Sequence, residues 1–192
     1  MSKNVIVKLV GLLLLLPGMA MAHTGHHGAT GFLQGFSHPM GGLDHLLAML
    51  AVGLWASQLG GRALWAVPCT FVAVMMFGSV LGLSAIHIPF IETGILVSIL
   101  VLGTLIAGAF KVPAVYSVAT VALFALFHGH AHGAEMHINN SAIAYIVGFS
   151  LATAILHVAG MGLGVVMNKI NLEKVNRFAG VAIVISGLFL AV

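Results

Sequence analysis

The chain has 192 residues, 60% of them hydrophobic and 6% charged, with a mean hydropathy of +1.15. That leaves too little polar surface to solvate a globule, which excludes a water-soluble fold and predicts an all-α integral membrane protein. The net charge of +3 arises from seven Lys and Arg against four acids, with no basic stripe, and this excludes a nucleic-acid footprint.

The N-terminus carries Lys3 and Lys8, an apolar run from Leu9 to Leu16, a Pro17-Gly18 break and Ala20-Met21-Ala22. The last three have the small-x-small form of a signal-peptidase site, so residues 1–22 read as a cleaved secretory signal and 23–192 as the mature domain. The apolar core is short for the roughly 20 residues of a retained first span. Cleavage leaves His23 heading the tract "HTGHHG", with His26 and His27.

Apolar runs separated by short Pro, Gly or polar breaks then predict a six-helix transmembrane bundle, with spans at about 32–59, 63–86, 90–110, 112–134, 141–167 and 174–192. Six spans use most of the mature chain and leave no length for a soluble catalytic domain. With the mature N-terminus outside, the inner loops hold Arg62, Lys111, Lys169, Lys174 and Arg177, and the outer segments hold no Lys or Arg. The positive-inside rule and the leader therefore agree on an inner-membrane protein with both mature termini periplasmic. Cys69 is the only cysteine, so no intrachain disulfide or Cys-x-x-Cys site exists, and its apolar setting predicts a small packing residue. Gly78-x-x-x-Gly82 and Gly160-x-x-x-Gly164 predict close helix packing and leave a homo-oligomer open.

Eleven histidines outnumber either the acids or the Lys and Arg, and the predicted topology gathers most of them at the outer ends. There lie "HPMGGLDH" with His38, Asp44 and His45, then His87, Glu92, and "FHGHAHGAEMH" with His128, His130, His132, Glu135 and His137. Imidazole with carboxylate suits borderline divalent ions such as nickel, cobalt and zinc, and not magnesium or calcium. On a continuous helix His38 and His45 would stand about 10 Å apart along the axis, too far for one ion. Pro39 and Gly41-Gly42 predict a break that folds His38 back towards Asp44 and His45. A carboxylate such as Asp44 in a span costs about 2.5–3.5 kcal/mol on insertion scales, so it needs either a metal or a structural partner. Met49 shares the His45 face as a soft donor or as packing.

His128, His132 and Glu135 align on one face of a helical continuation, whereas His130 and His137 fit a solvated loop. His87 is an outer ligand or an interfacial residue, and Glu92 balances the site or caps a helix. His157 falls about 16 residues into the fifth span, roughly 24 Å deep, as a relay ligand or a packing histidine.

"HPMGGLDH" and "FHGHAHGAE" together resemble the His-x5-Asp-His and Phe-His-Gly-x-Ala-His-Gly-x-Glu signatures of the HupE/UreJ family of hydrogenase and urease accessory membrane proteins. The resemblance extends over nearly the whole chain. It implies a permease importing nickel, with cobalt second, for hydrogenase or urease maturation, without a prosthetic group. It also implies that His38, Asp44 and His45 serve uptake, with His128, His132 and Glu135 as the second motif. Two alternatives stand beside it: an intramembrane zinc metalloenzyme, although H-E-x-x-H, H-x-x-E-H and G-x-S-x-G are all absent, and a membrane metal sensor or scaffold. No phosphate-binding G-x-x-x-x-G-K-[ST] loop is present either. If the leader is cleaved where its small residues place the site, the intact mass of membrane-extracted protein will correspond to a chain starting at His23; a mass that includes Met1 would reject this.

Overall fold

The computed structural model describes residues 31–136 and 141–191. The leader predicted over 1–22, the His23, His26 and His27 tract, and His137 lie outside the described residues. Among the described residues seven helices follow one another: α1 (Gly31–Gly41), α2 (Leu43–Leu59), α3 (Ala63–Leu83), α4 (Ile91–Gly108), α5 (Ala114–Ala134), α6 (Ala142–Lys169) and α7 (Glu173–Leu190). Among the described residues there is no strand. Helices α3 to α6 are each long and apolar enough to cross a membrane, and α1 with α2 makes a fifth candidate if the bent pair is one span. This is the architecture of a multi-pass membrane protein. Helix α7, with Glu173, Lys174 and Arg177 near its start, is not among the candidates.

The break predicted after Pro39 is narrower than the sequence implies. Helix α1 runs through Pro39 to Gly41, and an 84° turn separates it from α2. Gly42 takes the turn in an ordinary extended conformation, φ −110° and ψ 126°. Glycine there leaves the Asp44 and His45 side chains their space: a Cβ would lie 2.5 Å from Asp44 Oδ1 and 3.3 Å from His45 Nδ1.

Packing pairs α3 with α5, α6 with both α1 and α2, and α4 with α7. Small residues set how closely these helices approach. On α5, the glycines that follow the two motif histidines, Gly129 and Gly133, lie against the backbone of Met75 and Ser79 on α3, while Gly78 and Gly82 on α3 lie against Leu126 and His130 on α5. Gly53 on α2 and Gly160 on α6 make the corresponding contact between those helices. The predicted Gly-x-x-x-Gly pairs are thus consumed inside the chain and give no support to an oligomer. Trp55, Phe71, Tyr145, Phe149, Met49 and Met75 fill the centre, whereas Trp65, Phe77, Ile143, Phe178 and Phe189 point outward, as lipid-facing residues do. Cys69 is exposed on α3, which corrects its reading as a packing residue: the helix turns that face away from its neighbours.

Long-range contacts sort the two ends of the bundle. At one end Arg177 Nε donates to Ala107 O at 2.8 Å and Gln58 Nε2 to Ile106 O at 3.2 Å. At the other, His130 Nε2 donates to Ile86 O at 2.6 Å and His38 Nε2 to Glu135 Oε2 at 2.9 Å. One end is therefore basic and the other is rich in imidazole and carboxylate. Since a methyl at residue 129 would collide with the α3 backbone, Gly129→Ala should lower the stability of the purified protein by about 1–3 kcal/mol. Gly162→Ala, where a Cβ meets nothing within 4 Å, should leave it unchanged or slightly raised. Unfolding midpoints in one detergent compare them, and equal midpoints would refute the close-approach account.

Candidate metal centre

Each motif histidine is positioned by its helix. Helix α5 continues through the second motif as predicted, so His128 and His132, one turn apart, enter the interior, and both are fully buried. Glu135 caps the same helix and is about half exposed. His38 comes from the last turn of α1 and His45 from the first turn of α2, so the bend between these helices brings both towards α5. The ring of His132 lies between them, 4.8 Å from the His38 ring and 4.6 Å from the His45 ring by centroids. His45 in turn stands 5.2 Å from His128.

Donor atoms of His38, His132 and Glu135 all lie within 4.8 Å of one another. Ligands at about 2.1 Å from one ion are separated by roughly 3–4 Å, so a contraction of about 1 Å would complete the group. His38 Nε2 and Glu135 Oε2 are joined by a hydrogen bond of 2.9 Å. That hydrogen bond holds the Glu135 carboxyl below its usual range, against the opposing effect of partial burial. Glu135 is therefore anionic through neutral and mildly acidic pH, a ready donor at the exposed edge.

The buried nitrogens carry the strongest chemical signal. Neither ring nitrogen of His132 has a hydrogen-bond partner among the described residues, and the same holds for Nε2 of His45 and of His128. Each such group costs about 1–3 kcal/mol when left unpaired in a dry interior. His128 Nδ1 donates to Phe124 O at 2.9 Å, and His45 Nδ1 donates to Asp44 Oδ1 at 3.0 Å. A neutral imidazole with its proton on Nδ1 presents a lone pair at Nε2, the form that binds a metal.

Asp44 is engaged with its own neighbour. Its Oδ1 accepts from both the backbone N–H and Nδ1 of His45, at 2.8 and 3.0 Å, and its place in the first turn of α2 suits a negative charge. In this arrangement Asp44 fixes the ring and tautomer of His45, the standard partner of a ligating histidine. It stands outside the His38, His132 and Glu135 group. It also lines, with Glu92 and Thr93, an open groove of about 290 Å³. His87 is exposed in the α3–α4 loop; His130, read as a loop residue, is instead buried within α5 with Nε2 on Ile86 O and Nδ1 unpartnered among the described residues, and neither belongs to the His38, His132 and Glu135 group.

Three aromatic walls escape a reading of polar motifs. Phe149 stacks on His132 at 4.9 Å, Tyr145 lies 5.9 Å from His38, and Phe71 meets His128 edge-on at 5.5 Å. The signal available was the four-residue spacing of Tyr145, Phe149, Thr153 and His157 along α6, which forms one buried stripe. If Asp44 acts through His45, Asp44→Asn should weaken metal binding about 10–100-fold while leaving membrane abundance unchanged. Equilibrium titration of the purified protein with Ni2+ reads this, and an unchanged affinity would return Asp44 to a role in the fold alone.

Comparison with known proteins places the chain. The family described as HupE / UreJ protein matches residues 11–190. The Protein HupE of Rhizobium leguminosarum bv. viciae is 47% identical over 179 residues, covering 93% of each chain. No solved structure matches. With a family match across nearly its full length and both histidine motifs at one end of the bundle, the chain is a member of the HupE/UreJ family.

Proposed function

We propose that this protein is a permease that carries Ni2+, with Co2+ as the second candidate, across the inner membrane from periplasm to cytoplasm. The observation that carries the reading is His132: fully buried, both nitrogens unpartnered among the described residues, in ring contact with His38 and His45, and grouped with Glu135. A buried cluster of neutral imidazoles open at a carboxylate edge receives a dehydrated borderline cation better than it serves packing. As a HupE/UreJ protein the chain is a transport or accessory protein and not an enzyme. The preference for nickel, and the link to hydrogenase or urease maturation, follow from the family resemblance.

In this reading residues 1–22 are a removed leader and 23–192 form six spans, with α1 and α2 as the first and α7 as the last. The histidine end faces the periplasm with both termini, and Arg62, Lys111, Lys169, Lys174 and Arg177 face the cytoplasm in accord with the positive-inside rule. His38, His132 and Glu135 take the ion first; His45, oriented by Asp44, and His128 form the next tier. The ion is cargo, and no prosthetic group takes part.

Purified protein in lipid vesicles tests the reading with Ni2+, Co2+, Zn2+ and Cu2+ supplied at equal free concentrations. Saturable nickel uptake is expected, reduced at least tenfold by His132→Ala at equal protein density. Tight nickel binding without uptake would instead support a sensor or scaffold.

A further inference from the structure

His157 belongs to neither family signature, yet it repeats the arrangement of the ligand histidines deeper in the bundle. It sits at mid-length of α6 and is almost completely buried. Its Nδ1 donates to Met49 O at 2.8 Å, which leaves the lone pair on Nε2, and that atom is buried without a partner among the described residues. Met49 lies one helical turn, about 6 Å, inward of His45 on α2. The Phe71 ring meets His157 at 5.1 Å and His128 at 5.5 Å, edge-on to both, so a single side chain adjoins the outer cluster and the deeper imidazole. Soft donors lie nearby. Met75 Sδ stands 3.7 Å from Thr153 Oγ1, one turn outward of His157 on the same face of α6, and Met161 lies buried one turn inward on that face.

We propose that His157 Nε2 is a separate inner station for the transported divalent ion, one turn below the His45 and His128 tier, with Phe71 as the partition an ion must pass. The proposal rests on the permease reading. A purely packing role leaves the buried lone pair unexplained, because the hydrogen bond to Met49 O uses only the other nitrogen. Thioethers and a single imidazole make a weaker station than the outer imidazole and carboxylate set, and conduction needs intermediate sites that release what they receive.

Two substitutions separate ligation from structure. In His157→Asn the amide nitrogen replaces Nδ1 and keeps a donor for Met49 O, while the Nε2 lone pair is lost. In His157→Met a soft donor is kept and the hydrogen bond is lost. Ni2+ uptake into vesicles is measured together with Ni2+ affinity by equilibrium titration and the unfolding midpoint in detergent. The station predicts that His157→Asn keeps the outer-site affinity within twofold and the midpoint near wild type, but takes up nickel at least tenfold more slowly. His157→Met should take up nickel faster than His157→Asn despite a lower midpoint. The reverse order, with His157→Asn near wild type and His157→Met defective, overturns the station while leaving the permease intact. Wild-type vesicles that take up no nickel overturn the permease reading and the station with it.

Discussion

An oxygen acceptor on one imidazole nitrogen governs this molecule's chemistry. In His45, His128 and His157 the acceptors are Asp44 Oδ1, Phe124 O and Met49 O, and in each case they receive Nδ1–H. Three unrelated local solutions thus yield the same product, a ring whose Nε2 is buried with no hydrogen-bond partner among the described residues. His132 differs in having no acceptor at either nitrogen among the described residues, and it is the ring that touches both His38 and His45. The cluster is consequently a set of donors held apart from one another's protons and deprived of polar partners.

Holding rings in that state requires helices closer together than ordinary side chains allow. The second motif places a glycine after each of its two histidines, and Gly129 and Gly133 bring α5 onto the α3 backbone. With that face committed to α3, the adjoining face, which carries His128 and His132, turns to the centre. On the other side Gly53 and Gly160 bring α2 against α6, close enough for the His157 ring to reach the carbonyl of Met49. The glycines of the motif are therefore packing elements, and the motif encodes a helix contact as much as a ligand set.

Much of this was legible in the sequence, because hydropathy and the positions of Gly and Pro are local properties. Helix positions agree with the predicted spans to within a few residues; the second ends at Leu83 and not near 86, since Ala85 turns into the left-handed region at φ 54°. The convergence of His38 with the second motif was not predicted, because it depends on the 84° turn at Gly42 and on α1 staying helical through Pro39. Asp44 read as a candidate ligand from its charge and cost in a span. Its bond to the adjacent His45 is a matter of side-chain rotamer, which no spacing encodes. The choice for His157 between relay and packing was equally closed to the sequence, since the partner of its Nδ1 lies 108 residues away.

Charge is distributed along the axis as unevenly as the histidines. Glu135, Asp44 and Glu92 all stand at the histidine-rich end, and the buried polar groups around His157, among them the Ser150 and Thr153 hydroxyls, carry no charged side chain. A divalent ion moving from the first set to the second gives up its anionic partners within a few helical turns, at a cost of several kcal/mol per uncompensated charge. On the orientation proposed, a negative-inside membrane potential acts along the same path, worth about 2.3 kcal/mol per elementary charge per 100 mV, or twice that for the whole crossing of a divalent cation. On the permease reading the carboxylates at that end account for capture, and the neutral column accounts for the ion not being held once captured. An acid placed as deep as His157 would turn the same bundle from a conduit into a store.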